Sequence, residues 1–297
     1  MPELPEVEVL VRRLAPRLKN KTIRWVEVRR ARVLRPTRPA ELKRALTGAR
    51  FVDLARRAKY LAFTLRRAGG GGTFLLLGHL GMTGRMFLQP AKAPLPKHTA
   101  VALNLGEENF VFEDTRYFGR FTLDTSTLGG LGPEPLGDEF TIEYFTRALK
   151  RSAQAIKVKL LDQSLVAGVG NIYACESLFH AGVSPRLPAR KLTRAQTERL
   201  RNALRKTLAE AIHFGSSAPL DWLGTGERDG LFYYGRADGA PDYEERLCAY
   251  DRQGQPCPVC QTPIRRIVQA ARSTFYCPRC QRAERGKTSV DGADSDL

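Results

Sequence analysis

Four cysteines near the C-terminal end have the spacing of metal ligands. Two Cys-x2-Cys pairs are separated by sixteen residues: Cys257, Cys260, Cys277 and Cys280. Thiolates at this spacing are typical of a tetrahedral zinc site, and four of them fill its coordination shell. No position remains for a catalytic water, so we predict one structural Zn²⁺. The Arg-, Ser- and aromatic-rich segment between the pairs predicts a β-hairpin, although each arginine there is on composition more often a solvated charge.

The N-terminus begins Met1-Pro2-Glu3, which could supply a nucleophile with an acid beside it. A small second residue favours removal of Met1, and Pro2 would then carry a secondary amine. An α-amino group has a pKa of about 7.7 to 8.0, against about 10.4 for lysine, so much of it is uncharged at neutral pH. Such an amine could form an imine at a sugar carbon while Glu3 transfers protons. Taken alone, an N-terminal Pro is far more often incidental.

A glycine-rich segment in the second half, Leu165 to Tyr173, predicts a turn between two helices. Gly168 would stop the first helix and Asn171 would cap the second. Unpaired N–H groups at a helix start can bind phosphate. An ordinary helix hairpin has the same pattern, so both interpretations stay open at this point.

The charge of the chain limits its partners. Its 297 residues include 48 Lys and Arg against 31 Asp and Glu, which gives a net charge of +17. Nucleic acid is the commonest partner of so basic a protein, although ribosomal and membrane-surface proteins share the property. No apolar run reaches the roughly 18 residues of a membrane span, and the acidic Glu3, Glu6 and Glu8 do not fit a secretory signal. We therefore expect a cytoplasmic protein without a membrane partner, where clustered cysteines indicate metal rather than disulfides.

The elements that must position these residues change character along the chain. Helical periodicity covers Pro5 to Leu18, and short strand-like runs follow until about Asp124, which predicts a β-sandwich or barrel. The predicted strands are Ile23–Val28, Tyr60–Leu65, Thr73–Leu77, Thr99–Leu105, Asn109–Phe112 and Gly119–Leu123. The Gly- and Pro-rich stretch 129–135 then predicts a domain boundary.

The second half of the sequence is predicted to be helical. The candidate helices are Ile142–Arg151, Ala155–Leu165, Ile172–Ala181 and Arg194–Phe214, the last with a capping box of Thr193 and Gln196. We thus predict an α+β multidomain protein. Its parts would be a sheet domain with a leading helix at 2–130, a helical domain at 131–214, a loop or linker at 215–247, a zinc finger at 248–282 and a disordered tail at 283–297.

Together these segments resemble the formamidopyrimidine-DNA glycosylases. The resemblance spans residues 1 to about 282 and is specific, because many short motifs occur in one order. The matching segments are MPELPEVE at 1–8, RRAKYL at 56–61, HLGMTG at 79–84, KH at 97–98, LGPEPL at 131–136, AIK at 155–157, GVGNIYACESLF at 168–179 and FYCPRCQ at 275–281.

The resemblance implies a fold and an activity. The fold would be an N-terminal β-sandwich, a helix-two-turn-helix domain and a C-terminal zinc-finger β-hairpin. Double-stranded DNA with damaged bases would bind in the cleft between them. The protein, expected to be a monomer, would be a bifunctional DNA glycosylase and AP lyase that excises oxidised purines in base excision repair.

The resemblance also implies residue roles. Pro2 would form the imine, Glu3 would act as acid, Lys59 would donate a proton in β-elimination and Arg272 in δ-elimination. Lys59 could instead be an ordinary solvated charge on the basic edge of a strand. Glu6 would support the N-terminus electrostatically. The implied DNA contacts are His98, Arg116, Ser152 or its neighbour Arg151, Lys157 and Asn171.

Three residues resemble the family's void-filling set, which occupies the space left by an extruded nucleotide. They are Met82, Arg116 and Phe118: apolar side chains can wedge into the base stack, and Arg can bond the orphaned base. Without the surrounding HLGM, Met82 would be interpreted as core. The sequence departs from the family at Thr115 and Tyr117. It also departs in the long 215–256 segment, whose aromatic cluster at 232–234 is predicted to cover the flipped base.

Two alternative functions fit the sequence, and particular residues distinguish each of them from a glycosylase for oxidised purines. An endonuclease VIII-like glycosylase for oxidised pyrimidines would share the chemistry, but Leu4, Met82 and Phe118 favour the purine branch. A non-catalytic zinc-finger DNA-binding protein would share the scaffold, but Pro2, Glu3 and Lys59 are all present.

Overall fold

A computed structural model describes residues 2–217 and 247–282 of the chain. The predicted loop at 215–247, apart from its two ends, and the predicted tail at 283–297 lie outside the described residues. So does the aromatic cluster at 232–234. Within the described ranges, no helix is long and apolar enough to span a membrane.

The N-terminal half consists of a leading helix and two packed antiparallel sheets. Helix α1 (Leu4–Leu18) buries Leu10 and Leu14 against the sheets, as its apolar spacing predicts. One sheet has the order β2-β3-β4-β8 and the other the order β1-β6-β7-β5. The strands are β1 (Trp25–Val28), β2 (Arg50–Arg57), β3 (Tyr60–Arg66), β4 (Thr73–His79), β5 (Gly84–Pro90), β6 (Thr99–Asn104), β7 (Glu108–Asp114) and β8 (Arg120–Thr122).

Aromatic rings fill the space between the two sheets. Phe63 on β3 lies edge-on to Phe110 on β7, with ring centroids 5.6 Å apart, and Phe121 on β8 lies 6.0 Å from each of them. All three side chains are fully buried. Offset and edge-on rings of this kind pack two sheet faces together firmly, so the predicted α+β fold with an N-terminal sandwich is confirmed.

Two strands and one α-helix of this half were not predicted from the sequence: β2, β5 and helix α2 (Pro39–Leu46). The strand β2 carries charged residues at both ends, and β5 runs from Gly84 to Pro90, so neither has the alternation of a simple strand. Helix α2 has only eight residues, too few for a clear period. Their conformations are set by their neighbours rather than by local preference.

The second half is helical, as predicted. Its helices are α3 (Ile142–Lys150), α4 (Ile156–Leu160), α5 (Asn171–Ala181) and α6 (Arg194–Ser217). The capping box before α6 is confirmed, because Thr193 N–H donates to Gln196 Oε1 at 2.9 Å and Gln196 N–H donates to Thr193 Oγ1 at 3.2 Å. The prediction that α4 reaches Leu165 is wrong. Asp162 instead accepts hydrogen bonds from both the N–H and the hydroxyl of Ser164, which favours a turn over helix.

A β-hairpin of β9 (Arg265–Gln269) and β10 (Arg272–Tyr276) follows. Ala270 and Ala271, at its turn, both have positive φ (48° and 58°), which suits a tight hairpin turn but is unusual for alanine. The hairpin packs against α5 through a small cluster that contains Phe179, Ile264 and Phe275. The hairpin that carries Arg272 is therefore packed against α5.

Candidate active site

The carboxylate of Glu3 lies against the N-terminal end of α5. It is 2% exposed and accepts hydrogen bonds from the backbone N–H groups of Gly170 at 2.8 Å, Ile172 at 2.9 Å and Tyr173 at 3.4 Å. The positive end of the helix dipole faces the same atoms. Glu3 is thus held at the junction of the two halves of the molecule by a helix that begins 168 residues later.

This arrangement corrects the sequence interpretation of the glycine-rich segment. Gly170, not Asn171, is the N-cap of α5, and the N–H groups expected to clamp a phosphate bind the protein's own carboxylate. A side chain at Gly170 would collide with the Glu3 carboxyl group, and one at Gly168 (φ +85°) would collide with Leu4. The motif therefore builds a cradle for the N-terminus.

Glu6 is a second buried carboxyl beside Glu3. Its Oε2 accepts from the Glu3 N–H at 2.8 Å and its Oε1 accepts from the Tyr173 hydroxyl at 2.9 Å. Burial, with a further contribution from the Glu3 charge, raises the pKa of Glu6 from 4.5 to about 7. Near neutral pH the N-terminus therefore has a carboxyl that can hold a proton next to Pro2 and Glu3.

Lys59 lies in the turn between β2 and β3 and is buried, only 7% exposed. The alternative of a solvated strand edge does not fit this burial. Burial lowers the pKa of the Lys59 ammonium, the charges of Glu3 and Glu6 act in the opposite direction, and Arg272 lowers it further. Residues from the N-terminus, the β2–β3 turn and the finger hairpin therefore act on one another electrostatically.

Glu134, from the segment between the two halves, fixes the turn that carries Lys59. Its carboxylate accepts from Arg56 at 2.6 Å, from Arg57 at 2.8 Å and from the backbone N–H of Ala58 at 2.7 Å. Ala58 has a positive φ of 53°, so the turn benefits from outside support. Glu134 of the motif LGPEPL thus holds the three residues that precede Lys59.

His79, at the end of β4, was missed by the sequence interpretation. Burial, then the charges of Lys59 and Arg120, lower its pKa from 6.5 to about 4, so it is a neutral imidazole at physiological pH. Its ring lies 4.9 Å from that of Tyr60, and its Nδ1 accepts from the N–H of Gly81. A lone histidine at a strand end gives no clear signal, but its place at the head of HLGMTG could have singled it out.

Lys157 and Asn171 form a second polar group, linked to the finger. The Lys157 ammonium donates to Asn171 Oδ1 at 2.5 Å, and Asn171 Nδ2 donates to the backbone carbonyl of Ser273 at 2.9 Å. Ser273 follows Arg272, so Asn171 ties the helical unit to the arginine-bearing hairpin. The pKa of the Lys157 ammonium is lowered, mainly by burial. The two predicted DNA contacts are therefore in direct contact with each other.

The three predicted void-filling residues lie side by side on the surface. Met82 is 46% exposed and Phe118 is 44% exposed. The Arg116 guanidinium lies 4.7 Å from the centroid of the Phe118 ring and 3.3 Å from the Met82 sulfur. Large apolar side chains that are exposed together on a surface usually mark a binding site. The interpretation of Met82 as core is therefore wrong.

Asp114 joins the two loops that carry this trio. It is fully buried; its Oδ1 accepts from the Thr83 hydroxyl at 2.6 Å and the Arg116 N–H at 3.1 Å, and its Oδ2 accepts from the Gly119 N–H at 2.8 Å. The Asp114 N–H in turn donates to the carbonyl of His98. The backbone of His98 therefore lies next to the Arg116 loop, and the role of these two residues as DNA contacts stays a prediction.

Ser152 is the predicted contact least connected to the rest. It lies between α3 and α4, where its hydroxyl accepts from the Gln154 N–H and its carbonyl accepts from the Arg190 N–H. Neither bond joins Ser152 to another predicted site residue, and its neighbour Arg151 is exposed. Their role as DNA contacts stays a prediction.

The four finger cysteines fit one tetrahedral zinc ion. Their sulfur atoms all lie within 4.8 Å of one another, with Cys257 and Cys280 3.9 Å apart and Cys260 and Cys277 3.4 Å apart. Zinc bound to four thiolates at about 2.3 Å requires neighbouring sulfurs at about 3.8 Å. The donor set is closed and lies beside the small core of the hairpin, which fits a structural Zn²⁺.

Comparison with known proteins agrees with this architecture. The chain matches the Formamidopyrimidine-DNA glycosylase N-terminal domain over residues 1–121, the Formamidopyrimidine-DNA glycosylase H2TH domain over 131–219, and the zinc finger found in FPG and IleRS over 254–283. The formamidopyrimidine-DNA glycosylase of Thermus thermophilus is 42% identical over 95% of this chain and 98% of its own. That of Carboxydothermus hydrogenoformans is 39% identical over 95% and 100%.

Solved structures show the same fold. The Lactococcus lactis Fpg (MutM) bound to DNA that contains N7-benzyl-Fapy-dG aligns with a TM-score of 0.82 at 31% identity, covering 95% of this chain and 100% of the other. Fold, site and matches together define a zinc-finger DNA-repair glycosylase. More particularly, the chain belongs to the formamidopyrimidine-DNA glycosylase family.

Proposed function

We propose that this protein excises oxidised purines from double-stranded DNA through an imine on Pro2 and then cuts the strand by β,δ-elimination. The observation that carries the proposal is the fixed position of Glu3. A buried carboxylate is held beside the N-terminal Pro by three N–H groups of α5, in the electrostatic neighbourhood of Lys59. The oxidised-purine substrate is supported by the family and by the Lactococcus lactis relative solved with a Fapy-dG-containing DNA.

In the first step the Pro2 nitrogen attacks C1′ of the damaged nucleotide. The bond from C1′ to the base breaks, and the base leaves with a proton. Glu3 is the group placed to protonate the sugar ring oxygen, so that the C1′–O4′ bond opens and an iminium forms on Pro2. Glu6, with its pKa of about 7, can keep a proton close to this reaction at neutral pH.

Strand cleavage follows from the iminium. Loss of a C2′ proton expels the 3′-phosphate, and a second elimination expels the 5′-phosphate. Lys59 is our candidate for the proton transfers of the first elimination and Arg272 for those of the second. The lowered pKa of Lys59 supports its role, because a buried lysine exchanges protons more readily near neutral pH. Water then hydrolyses the imine and frees Pro2.

The DNA would be held on the side where the void-filling trio is exposed, and the fully buried Lys157 would act there through Asn171. A net charge of +17 favours binding to phosphates. Met82 and Phe118 expose apolar surface next to Arg116, which suits insertion into a base stack better than contact with water. We propose that this trio occupies the space of the extruded nucleotide.

The decisive experiment asks which amine forms the covalent intermediate. Borohydride reduction should trap an enzyme–DNA adduct on 8-oxoguanine duplex, and its modified peptide should begin at Pro2. A bulky residue inserted between Met1 and Pro2 retains the initiator and converts the proline nitrogen into an amide. This variant should trap no adduct while zinc content and folding are unchanged.

Lys59 is the natural competitor in this experiment, because its lowered pKa makes it a better nucleophile than an ordinary lysine. The matched control is Lys59→Arg, which keeps the charge and removes the nucleophile. Under our proposal it still traps the adduct with slower strand cleavage. Trapping that survives the blocked terminus and disappears in Lys59→Arg would assign the nucleophile to Lys59 and overturn the Pro2 mechanism.

Substrate class is tested separately, with duplexes that contain 8-oxoguanine, a formamidopyrimidine or an oxidised pyrimidine. Single-turnover excision should be fastest on the two purine lesions. Preference for the pyrimidine lesion would instead support an endonuclease VIII-like activity. Binding without excision of any lesion would support a non-catalytic DNA-binding protein.

A further inference from the structure

A second group of metal-ligating side chains lies outside the finger. The Glu176 carboxylate, the His180 imidazole and the Cys248 thiol each present one ligand atom, and the three atoms lie within 4.8 Å of one another. Glu176 and His180 are four residues apart on α5 and so share one face of the helix. Cys248 belongs to the segment that leads into the finger. The cluster joins two separate parts of the chain.

Glu176 is already oriented by the backbone of that segment. Its Oε2 accepts from the Cys248 N–H at 2.8 Å, and its Oε1 accepts from the N–H groups of Ala249 at 2.9 Å and Tyr250 at 2.7 Å. A carboxylate oxygen has two acceptor positions, so Oε2 can bind an ion and keep its hydrogen bond. Ligating carboxylates are commonly fixed in this way by outer hydrogen bonds.

The exposure of the three side chains would let an ion enter from solvent on one side of the cluster. Glu176 is 2% exposed, Cys248 is half-buried and His180 is exposed on the surface. An ion would thus enter from the His180 side and meet a carboxylate whose position is fixed. A carboxylate and a thiolate would balance the charge of a divalent ion, with a neutral imidazole as the third ligand.

We propose that Glu176, His180 and Cys248 form a second metal site that binds one divalent ion of borderline softness, with Zn²⁺ as the best fit. The mixed sulfur, nitrogen and oxygen donor set is one that zinc accepts and that magnesium or calcium does not favour. Three protein ligands leave a coordination position for water. The bound ion would link α5, whose first residues hold Glu3, to the entrance of the zinc finger.

This second site must be weaker than the four-cysteine site. It offers three protein ligands with a single thiol, whereas the finger offers four thiols that surround one ion. The incoming ion displaces the Cys248 thiol proton, which is released to solvent, and part of its binding free energy is used for this exchange. The second ion should be lost on dialysis under conditions that retain the first.

The test uses the full-length protein with its finger already loaded with zinc. We expect Co²⁺ titration to add one further equivalent, with the charge-transfer band of a single cobalt–thiolate bond. His180→Ala and Cys248→Ser should each weaken this uptake by about tenfold or more, and Cys248→Ser should also abolish the band. The matched control is His213→Ala, since His213 is an exposed histidine on α6 outside the cluster.

Retained finger zinc and retained excision activity establish that each variant is folded. If the wild type takes up no further equivalent, or if both variants take up Co²⁺ as the wild type does, the proposal is wrong. Glu176 then serves only to tie the finger entrance to α5 through its three backbone hydrogen bonds. A cobalt spectrum with several thiolates would show exchange into the finger and would also contradict a second site.

Discussion

At the level of single residues, Glu3 and Glu6 show how one helix gives two carboxyls different tasks. Glu3 receives three N–H groups at a helix N-terminus, whereas Glu6 receives one N–H and one hydroxyl in a buried position. Desolvation favours the protonated form of Glu6. The pair thus combines a firmly oriented carboxylate with a proton reservoir three residues away.

The raised pKa of Glu6 predicts a pH-dependent stability. The folded state holds this proton up to about pH 7 and the unfolded state only to 4.5, so the stabilisation from Glu6 is complete below 4.5 and lost as pH rises through 7. Such a shift corresponds to roughly 3 kcal/mol. Glu6→Gln stays neutral, so its stability relative to wild type should increase by up to this amount over the same window. Urea unfolding at several pH values measures it.

Glu8 is the matched control for this experiment. Burial alone would raise the pKa of Glu8, but hydrogen bonds from Arg12 and Arg56 outweigh it, and the net shift is downward. Glu8→Gln should therefore lose stability relative to wild type as the pH rises. Parallel profiles for wild type and Glu6→Gln would show that Glu6 is not the titrating group.

Gly170 allows a second prediction at the residue scale. A methyl group at this position would collide with the Glu3 carboxyl group. Gly170→Ala should displace that carboxylate and lower single-turnover excision by about 100-fold, since small displacements of a reacting group have effects of this size. Gly129→Ala is the control, because Gly129 lies in open space with an ordinary φ. Equal activity of the two variants would show that the position of Glu3 is not critical.

At the level of elements, the turn between β2 and β3 depends on a residue from another segment. Glu134 accepts from Arg56, Arg57 and the Ala58 N–H. Glu134→Ala leaves these donors without their acceptor and should lower the free energy of unfolding by about 2 kcal/mol, as for hydrogen bonds to a charged group. Because Lys59 is the next residue, cleavage of a preformed abasic site should slow more than DNA binding weakens.

The control for Glu134 is another acidic residue in an ion pair. Glu143 and Arg194 are 3.6 Å apart and both are largely exposed, so Glu143→Ala should change neither stability nor cleavage appreciably. Chemical unfolding measures the stability of both variants, and nicking of an abasic-site duplex measures their cleavage activity. Normal nicking by a destabilised Glu134→Ala would show that Glu134 has no part in positioning Lys59.

The elements that could be predicted from the sequence are those with a strong local period or cap. Helix α1 and the start of α6 follow from apolar spacing and from Thr193 and Gln196. The strands β2 and β5 could not be predicted, because their pairing partners determine them. The cradle of Glu3 was also missed, since no local pattern shows that residues 168–170 approach the N-terminus.

The residues of the candidate site could be predicted only where they belong to a recognisable sequence motif. The finger cysteines follow from spacing, while Lys59 and the void-filling trio were identified only by resemblance to a family. Asp114, Glu134 and His79 were not identified, because their importance comes from contacts between distant segments. Sequence patterns indicate reacting groups more readily than the residues that hold them.

At the level of the whole molecule, the site is assembled from the sheet domain, the helical unit and the finger. Asn171 bonds the backbone of Ser273, and Phe179 on α5 packs in one cluster with Phe275 of the hairpin. The hairpin has only a small core of its own, so its shape depends on the metal between its cysteine pairs. The position of Arg272 therefore depends on the zinc.

Loss of zinc should weaken DNA binding and leave the rest of the fold intact. In Cys277→Ser the hairpin loses its metal, and Arg272 and Ser273 lose their fixed relation to Asn171. We expect affinity for abasic-site duplex, measured by fluorescence anisotropy, to fall by about tenfold or more, because phosphate contacts are lost together. The circular dichroism of the helices and sheets should persist, since their two larger cores contain no residue of the hairpin. Cys175→Ser, at a buried cysteine outside the four-cysteine cluster, is the control and should keep its zinc and its affinity. Full affinity in a zinc-free Cys277→Ser would show that the finger is not needed to hold DNA.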